Sequence, residues 1–163
     1  MASDLPVLET VHCEPIWFQH YLTHVRLDKE ATGGEFALIE MHAASFASPP
    51  HIHHNESESF YVIEGQLEVH KEGRAFTLGS GDAIHTPRGV PHMYKVVSDT
   101  ARWLVLVSPA GFEGLMRRVS RPAESNTIPP GFAGRIMPLP STDSLAAGGI
   151  EILGAEGELP PEL

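Results

Sequence analysis

Apolar and polar residues alternate with a period of two along most of the first two-thirds of the chain. Tyr21, Thr23, Val25 and Leu27 are separated by polar or smaller residues, as on a strand that buries one face. Phe36 to His42 reads as a second strand. Phe36, Leu38, Glu40 and His42 share one of its sides, and Ala37, Ile39 and Met41 the other; alternation leaves open which side looks inward. Ala43 to Pro50 reads as a loop, and Phe60 to Ile63 as a strongly apolar strand. Gln66 to His70 alternates again, with Leu67 and Val69 inward, and Lys71-Glu72-Gly73-Arg74 is a hairpin loop with glycine at a left-handed position. Further strands are expected at Ala75 to Leu78, Ala83 to Thr86, His92 to Val97 and Ala101 to Val107, the last with Trp103, Val105 and Val107 on one face. About eight to ten short strands, with turn signals every 8 to 12 residues or so, imply a β-sandwich or closed barrel.

The period changes at Ser108-Pro109. Serine caps helices and proline suits the first helical position. Phe112, Leu115, Met116 and Val119 then form one stripe at helical spacing, with Arg117 and Arg118 in the last turn. The helix is expected to pack on the outside of the barrel. Pro122 to Pro140 is irregular, a short helix starts at Ser141 and covers Asp143 to Ala147, and the chain from Gly154 onward is expected to be mobile. The division is thus an arm at 1–15, a barrel at 16–108, and a helix with a Pro/Gly-rich acidic tail at 109–163. Trp17 and Phe18 are expected in the core or against a second copy of the chain.

Chemistry concentrates in Pro49 to Gly65. His51 and His53 are two apart, so on a strand both imidazoles aim into one space, roughly 6.6 Å apart along the backbone. Glu58 can bring a carboxylate to the same point. Two neutral imidazoles and a carboxylate suit one divalent transition metal: Fe, Mn, Co, Ni, Cu or Zn. A polar, histidine-rich surface loop would have the same composition. Gly81 to His92 holds a second cluster, in which a short apolar strand runs into Pro87-Arg88-Gly89 and then His92.

Together the two stretches resemble the paired motifs of the cupins. His51, His53, Glu58 and Gly65 match H-x-H-x4-E-x6-G, and Gly81, Pro87, Gly89 and His92 match G-x5-P-x-G-x2-H, with fifteen residues between Gly65 and Gly81. The resemblance implies an all-β, jelly-roll barrel with His51, His53, Glu58 and His92 as metal ligands. Ser45 stands where the family often has glycine, and Val96 where it often has asparagine. Further stretches, among them Phe60-Tyr61-Val62-Ile63-Glu64-Gly65 and Gly149-Ile150-Glu151-Ile152-Leu153-Gly154, resemble single-domain bacterial cupins grouped with quercetin dioxygenases. That implies an oxidoreductase acting with O₂ on a phenolic or enolic aromatic, flavonol- or polyketide-like. Four protein ligands on an octahedral ion leave two positions for substrate and O₂ or water. Glu58 serves as ligand or as base on a substrate hydroxyl. The alternatives are a non-redox cyclase, isomerase or lyase and a small-molecule-binding cupin without turnover. Family members commonly form homodimers.

The candidate substrate pocket is walled by Phe60 or Tyr61, Met41, Met93, Tyr94 and Trp103, according to the face each strand turns inward. An apolar, aromatic lining suits a planar aromatic better than a sugar phosphate. His54 alternates away from His53 and is expected beside the site or in solvent. His85 is left between pocket and exterior, and His12, His20, His24, His42 and His70 have no assigned role.

With 163 residues and a net charge of −10, the chain is one acidic domain without the clustered Lys and Arg that a nucleic-acid partner requires. No apolar run reaches the ~20 residues of a membrane span, and the first residues show no secretory signal, so a cytoplasmic protein is expected. The single cysteine, Cys13, reads as a packed thiol.

Overall fold

The computed structural model describes residues 13–130, 141–155 and 157–160. Residues 1–12 of the expected arm and 131–140 of the irregular stretch lie outside them. The described strands are β1 (Ile16–Phe18), β2 (Tyr21–Leu27), β3 (Ala37–Ala47), β4 (His51–His53), β5 (Ser57–Glu64), β6 (Leu67–Lys71), β7 (Arg74–Leu78), β8 (Ala83–Thr86), β9 (His92–Ser108), β10 (Arg121–Pro122) and β11 (Ile150–Ile152). The helices are α1 (Phe112–Val119) and α2 (Thr142–Ala147). None is long and apolar enough to cross a membrane.

The fold is an all-β jelly roll organised on β9. The second half of β9 pairs with β3 on one side and β5 on the other, and β5 continues to β8. The first half of β9 pairs with β6, which continues to β7, and touches β4 at the His51–His92 pair. All these pairings are antiparallel, and the sheet does not close on itself. Tyr94 and Trp103 are nine residues apart, about 30 Å on a straight strand, yet their ring centroids lie 5.8 Å apart. The strand therefore doubles over between them. The sequence suggests two strands, ending at Val97 and resuming at Ala101; the ladder instead runs on through a bend.

The core lies between the two groups of strands. Ala37, Ile39, Met41 and Ala43 turn inward with Phe60, Val62, Leu67, Val69, Trp103, Val105 and Val107. This settles the facing of β3, whose opposite side carries Glu40, held between Arg26 and Arg102 at 3.0 Å each. Each large apolar side chain buried here stabilises the fold by roughly 1.5–3 kcal/mol.

Ala43 to Pro50 is not a loop over its whole length. β3 continues to Ala47, through a bulge between Ala44 and Phe46, because it gains a second stretch of β9 to pair with. Ser45 Oγ donates to the Val96 carbonyl across that bulge at 3.4 Å. Gly65 turns β5 toward β6 at φ +78°, and a Cβ there would stand 2.3 Å from the Thr100 carbonyl oxygen. Only glycine fits both constraints. The hairpin of β6 and β7 turns on Glu72 and Gly73, both at positive φ, which matches the twist of the strands.

Helix α1 starts later than the sequence suggests. Its cap is Gly111, not Ser108; the Ser108 hydroxyl donates to the Glu35 carbonyl instead. One face of the helix packs into the core, and the other is exposed at Arg117 and Arg118. Met116 is fully buried in the main core, and Phe112 faces into the site described below. Glu113, buried at the helix start, accepts from the backbone N–H groups of Gly111 and Lys29. Helix α2 begins as expected, with Ser141 Oγ accepting from Ser144 N–H.

The described residues beyond α2 are tied down. β11 pairs with β4 over three residues, and Leu153 and Gly157 donate to the carbonyls of Pro50 and Ser48. The described part of the expected mobile tail thus lines the loop that leads into His51. Trp17 is buried by its own chain: its Nε1 donates to the Thr127 carbonyl and Arg121 stacks on its face.

Candidate metal centre

His51 and His53 occupy the two ends of β4, and their intervening residue faces away. Two backbone devices fix this short strand. β11 pairs along it, and the Pro87-Arg88-Gly89 turn donates the Gly89 N–H to the His53 carbonyl at 2.8 Å. Gly89 takes φ +77° there, a conformation that suits glycine. Glu58 arrives on β5 and His92 at the start of β9. All four side chains are buried, and one donor atom from each lies within 4.8 Å of the others.

Each histidine has one nitrogen engaged away from the centre. His51 Nδ1 lies 2.7 Å from the Pro49 carbonyl, His53 Nδ1 2.7 Å from Glu56 Oε1, and His92 Nδ1 3.0 Å from the Val90 carbonyl. A carbonyl oxygen only accepts, so Nδ1 of His51 and of His92 carries the hydrogen. Their Nε2 lone pairs are left to face inward. There His92 Nε2 stands 2.9 Å and His53 Nε2 3.3 Å from Glu58 Oε2. Lone pairs and a carboxylate converging in a buried space repel one another unless a cation sits among them. A proton or a metal ion meets that need, and the three-imidazole, one-carboxylate set fits a divalent transition metal.

The electrostatics agree. Burial, with His92 and His53 adding to it, pushes His51 down to about 3. Burial also pulls His53 down, but the Glu58 and Glu56 carboxylates outweigh it and lift His53 above its ordinary value. Burial alone would raise Glu58; the neighbouring histidines, His53 foremost, override it and hold the carboxyl at about 2.

A cavity of about 70 Å³ opens beside the histidines. It is lined by His51 and His53, by Phe18, Tyr21 and Tyr94, and by Phe112, Leu145, Ile150 and Ile152. The Tyr94 hydroxyl donates to that of Tyr21 at 2.8 Å, and burial raises Tyr94 above the ordinary phenol range. The Phe112 ring stands edge-on to His53, centroids 4.8 Å apart.

Of the candidate pocket residues, Tyr94 lines this cavity. Phe60, Met41 and Trp103 face the interior but belong to the core beneath it; Phe60 packs on His92 and Tyr94. Tyr61 does not face the pocket. It alternates with Phe60 and is 46% exposed on the outer side of β5. Met93 likewise alternates with His92 and Tyr94, so it is buried on the opposite face of β9 and outside the main core. His54 is exposed and bonded to Glu151, and His85 is exposed and bonded to Ser59.

Sequence reasoning missed Glu56, Tyr21, Phe112 and the α2–β11 wall. Glu56 stands three residues after His53, a spacing that lets an acid reach back to an imidazole; that signal was present. Ile150 and Ile152 carry no local signal, because they reach the site through the pairing of β11 with β4, roughly a hundred residues apart in sequence.

Residues 37–107 match the family described as Cupin domain. The chain contains a cupin domain over those residues. Over 79 residues the chain is 30% identical to quercetin 2,3-dioxygenase of Bacillus subtilis, covering 48% of this chain and 23% of that one. It is 33% identical over 61 residues to an uncharacterised protein of Aquifex aeolicus, covering 37% and 50%. It thus spans half or less of the length of these relatives. In fold it resembles a predicted oxalate decarboxylase of Thermotoga maritima, with TM-score 0.55, 19% identity, and 63% and 98% of the two chains covered. It also resembles the polyketide cyclase RemF of Streptomyces resistomycificus, with TM-score 0.51, 24% identity, and 64% and 79% covered.

Proposed function

We propose that this protein is a metal-dependent enzyme that transforms a phenolic or enolic small molecule with O₂. One observation carries the reading. Three buried imidazoles and one buried carboxylate converge beside an aromatic-lined cavity that two of them, His51 and His53, help to line, with the outward nitrogens of His51, His53 and His92 held by Pro49, Glu56 and Val90. His51, His53, Glu58 and His92 would hold one divalent transition metal. Bound there, such an ion supplies Lewis acidity and, if redox-active, a route for O₂ chemistry. The similarity to quercetin 2,3-dioxygenase over 79 residues supports the oxidative form of the reading.

The chain's own residues divide the remaining work. Glu58, held ionised by its histidine neighbours, takes the proton of a substrate hydroxyl. Tyr94, kept protonated by burial, donates to or accepts from a substrate oxygen. Phe18 and Phe112 sandwich the substrate and exclude water. Glu56 orients His53 and keeps its inward nitrogen aimed at the centre.

A non-redox isomerase or cyclase is the second reading, favoured by the buried phenol pair of Tyr94 and Tyr21, a proton relay that oxygen insertion does not require. O₂ uptake separates the two. Protein loaded with Fe, Mn, Co or Ni should consume O₂ only when an enolic or phenolic substrate is added. Product formation without O₂ uptake would replace the first reading with the second. A homodimer is the expected assembly, and light scattering reads it directly.

A further inference from the structure

We infer that the cavity takes an uncharged, single-ring enol or phenol, oriented through Tyr94, and excludes multi-ring flavonols. This rests on the proposed metal-dependent reading and narrows its substrate class.

The first observation is size. At ~10–15 Å³ of such volume per water, a cavity of about 70 Å³ holds about five to seven waters. Their share of liquid volume is roughly 150–210 Å³, room for one substituted six-membered ring with two or three oxygens. Pockets for drug-sized ligands run ~300–1,000 Å³.

The second observation is the wall. Ile150 and Ile152 belong to β11, whose three residues pair with the histidine-bearing β4. Ile150 and Leu145 also pack with Leu115 into a separate apolar cluster. Making room by moving this wall would break the pairing that positions His51 and His53. The boundary is therefore part of the metal site's own support.

The third observation is polarity. Among the described residues that line the cavity there is no Lys, Arg, Asp or Glu. A dianion such as oxalate would enter without a counter-charge from the wall. Beside the two histidines, the polar side chains in the lining are the uncharged Gln19, Ser48, Tyr21 and Tyr94. Tyr94 stands two residues beyond His92 on β9, so both side chains project inward. Its hydroxyl, now donating to Tyr21, can rotate to meet a substrate oxygen.

Maltol and flavonol share one hydroxypyranone chelating head and differ in bulk, so they separate size from metal affinity. Binding of each, and of oxalate, is measured by calorimetry on Co-loaded protein whose metal content has been determined. Maltol should bind at least tenfold more tightly than flavonol and than oxalate. Tyr94→Phe should weaken maltol about tenfold at unchanged metal content, and Ile152→Ala should improve flavonol at least tenfold. Flavonol or oxalate binding as tightly as maltol to fully loaded protein would overturn the inference and leave the metal reading standing. So would an unchanged maltol affinity in Tyr94→Phe. Failure of the protein to take up metal would instead overturn the metal reading on which the inference rests.

Discussion

The Nδ1 of His53 stands 2.7 Å from the Glu56 carboxylate, and both groups are buried. Glu56 belongs to the turn between β4 and β5, outside the four converging donors, and its contact fixes the rotation of the His53 ring. Removing such a carboxylate from behind a metal-binding imidazole costs metal affinity ~10–100-fold. Glu56→Ala should therefore bind metal 10–100 times more weakly, roughly, with little change in secondary structure. A competition titration against a chromogenic chelator measures this, and circular dichroism checks the fold.

Protonation should destabilise the metal-free protein below neutral pH. His51 has an ordinary value of 6.5 and sits at about 3 when folded. The unfolded chain binds that proton first, so stability falls as pH drops from 6.5 toward 3. At pH 5 this amounts to about 2 kcal/mol. Glu58 has an ordinary value of 4.5 and a folded value of about 2, so its contribution is present above 4.5 and is lost as pH falls toward 2. His53 is raised on folding. Its contribution is complete below 6.5 and is lost as pH rises above that. Urea midpoints of metal-free protein should fall between pH 6.5 and 5, and His51→Gln should flatten that slope.

The outward turn of Tyr61 and the inward turn of Phe60 predict opposite sensitivities for adjacent residues. Phe60 is buried against His92 and Tyr94, so Phe60→Ala should lose about 3–5 kcal/mol. Tyr61→Ala removes an exposed ring and should cost less than about 1 kcal/mol. Denaturant unfolding of the two variants settles it; comparable losses would mean that the register of β5 is misplaced.

Gly65 should tolerate no side chain. A Cβ there meets backbone, the Thr100 carbonyl oxygen and Ala101 Cα, rather than a movable side chain. Gly65→Ala should lose about 2–4 kcal/mol from the clash and the left-handed backbone together. Its melting temperature against that of Gly73→Ala, where a Cβ meets nothing within 4 Å, isolates the part due to the clash.

The parts of the fold legible in the sequence are those governed by local periodicity. The two-residue spacing of His51 and His53 and the facing of Leu67 and Val69 follow from the pleat alone. Gly65 and Gly89 mark backbone that other residues adopt poorly. What stayed hidden depends on distant pairing. Ala43 to Ala47 is rich in Ala and Ser and looks unlike a strand, but β9 supplies a partner. The stripe Phe112, Leu115, Met116 and Val119 is amphipathic whatever surface the helix packs on. That Met116 joins the main core and Phe112 touches His53 depends on the fold around them. Of the two departures from the motif pattern, Ser45 bonds through its side chain to the backbone carbonyl at the other, Val96, across the β3 bulge.

The central claim is that four buried side chains form one metal centre, and metal stoichiometry tests it most directly. The wild-type protein, loaded with a divalent transition metal and freed of excess, should retain one ion per chain by elemental analysis. His51→Ala and His92→Ala should each retain none under the same treatment while staying folded. Wild-type protein that holds no metal, or variants that hold as much as wild type, would contradict the account.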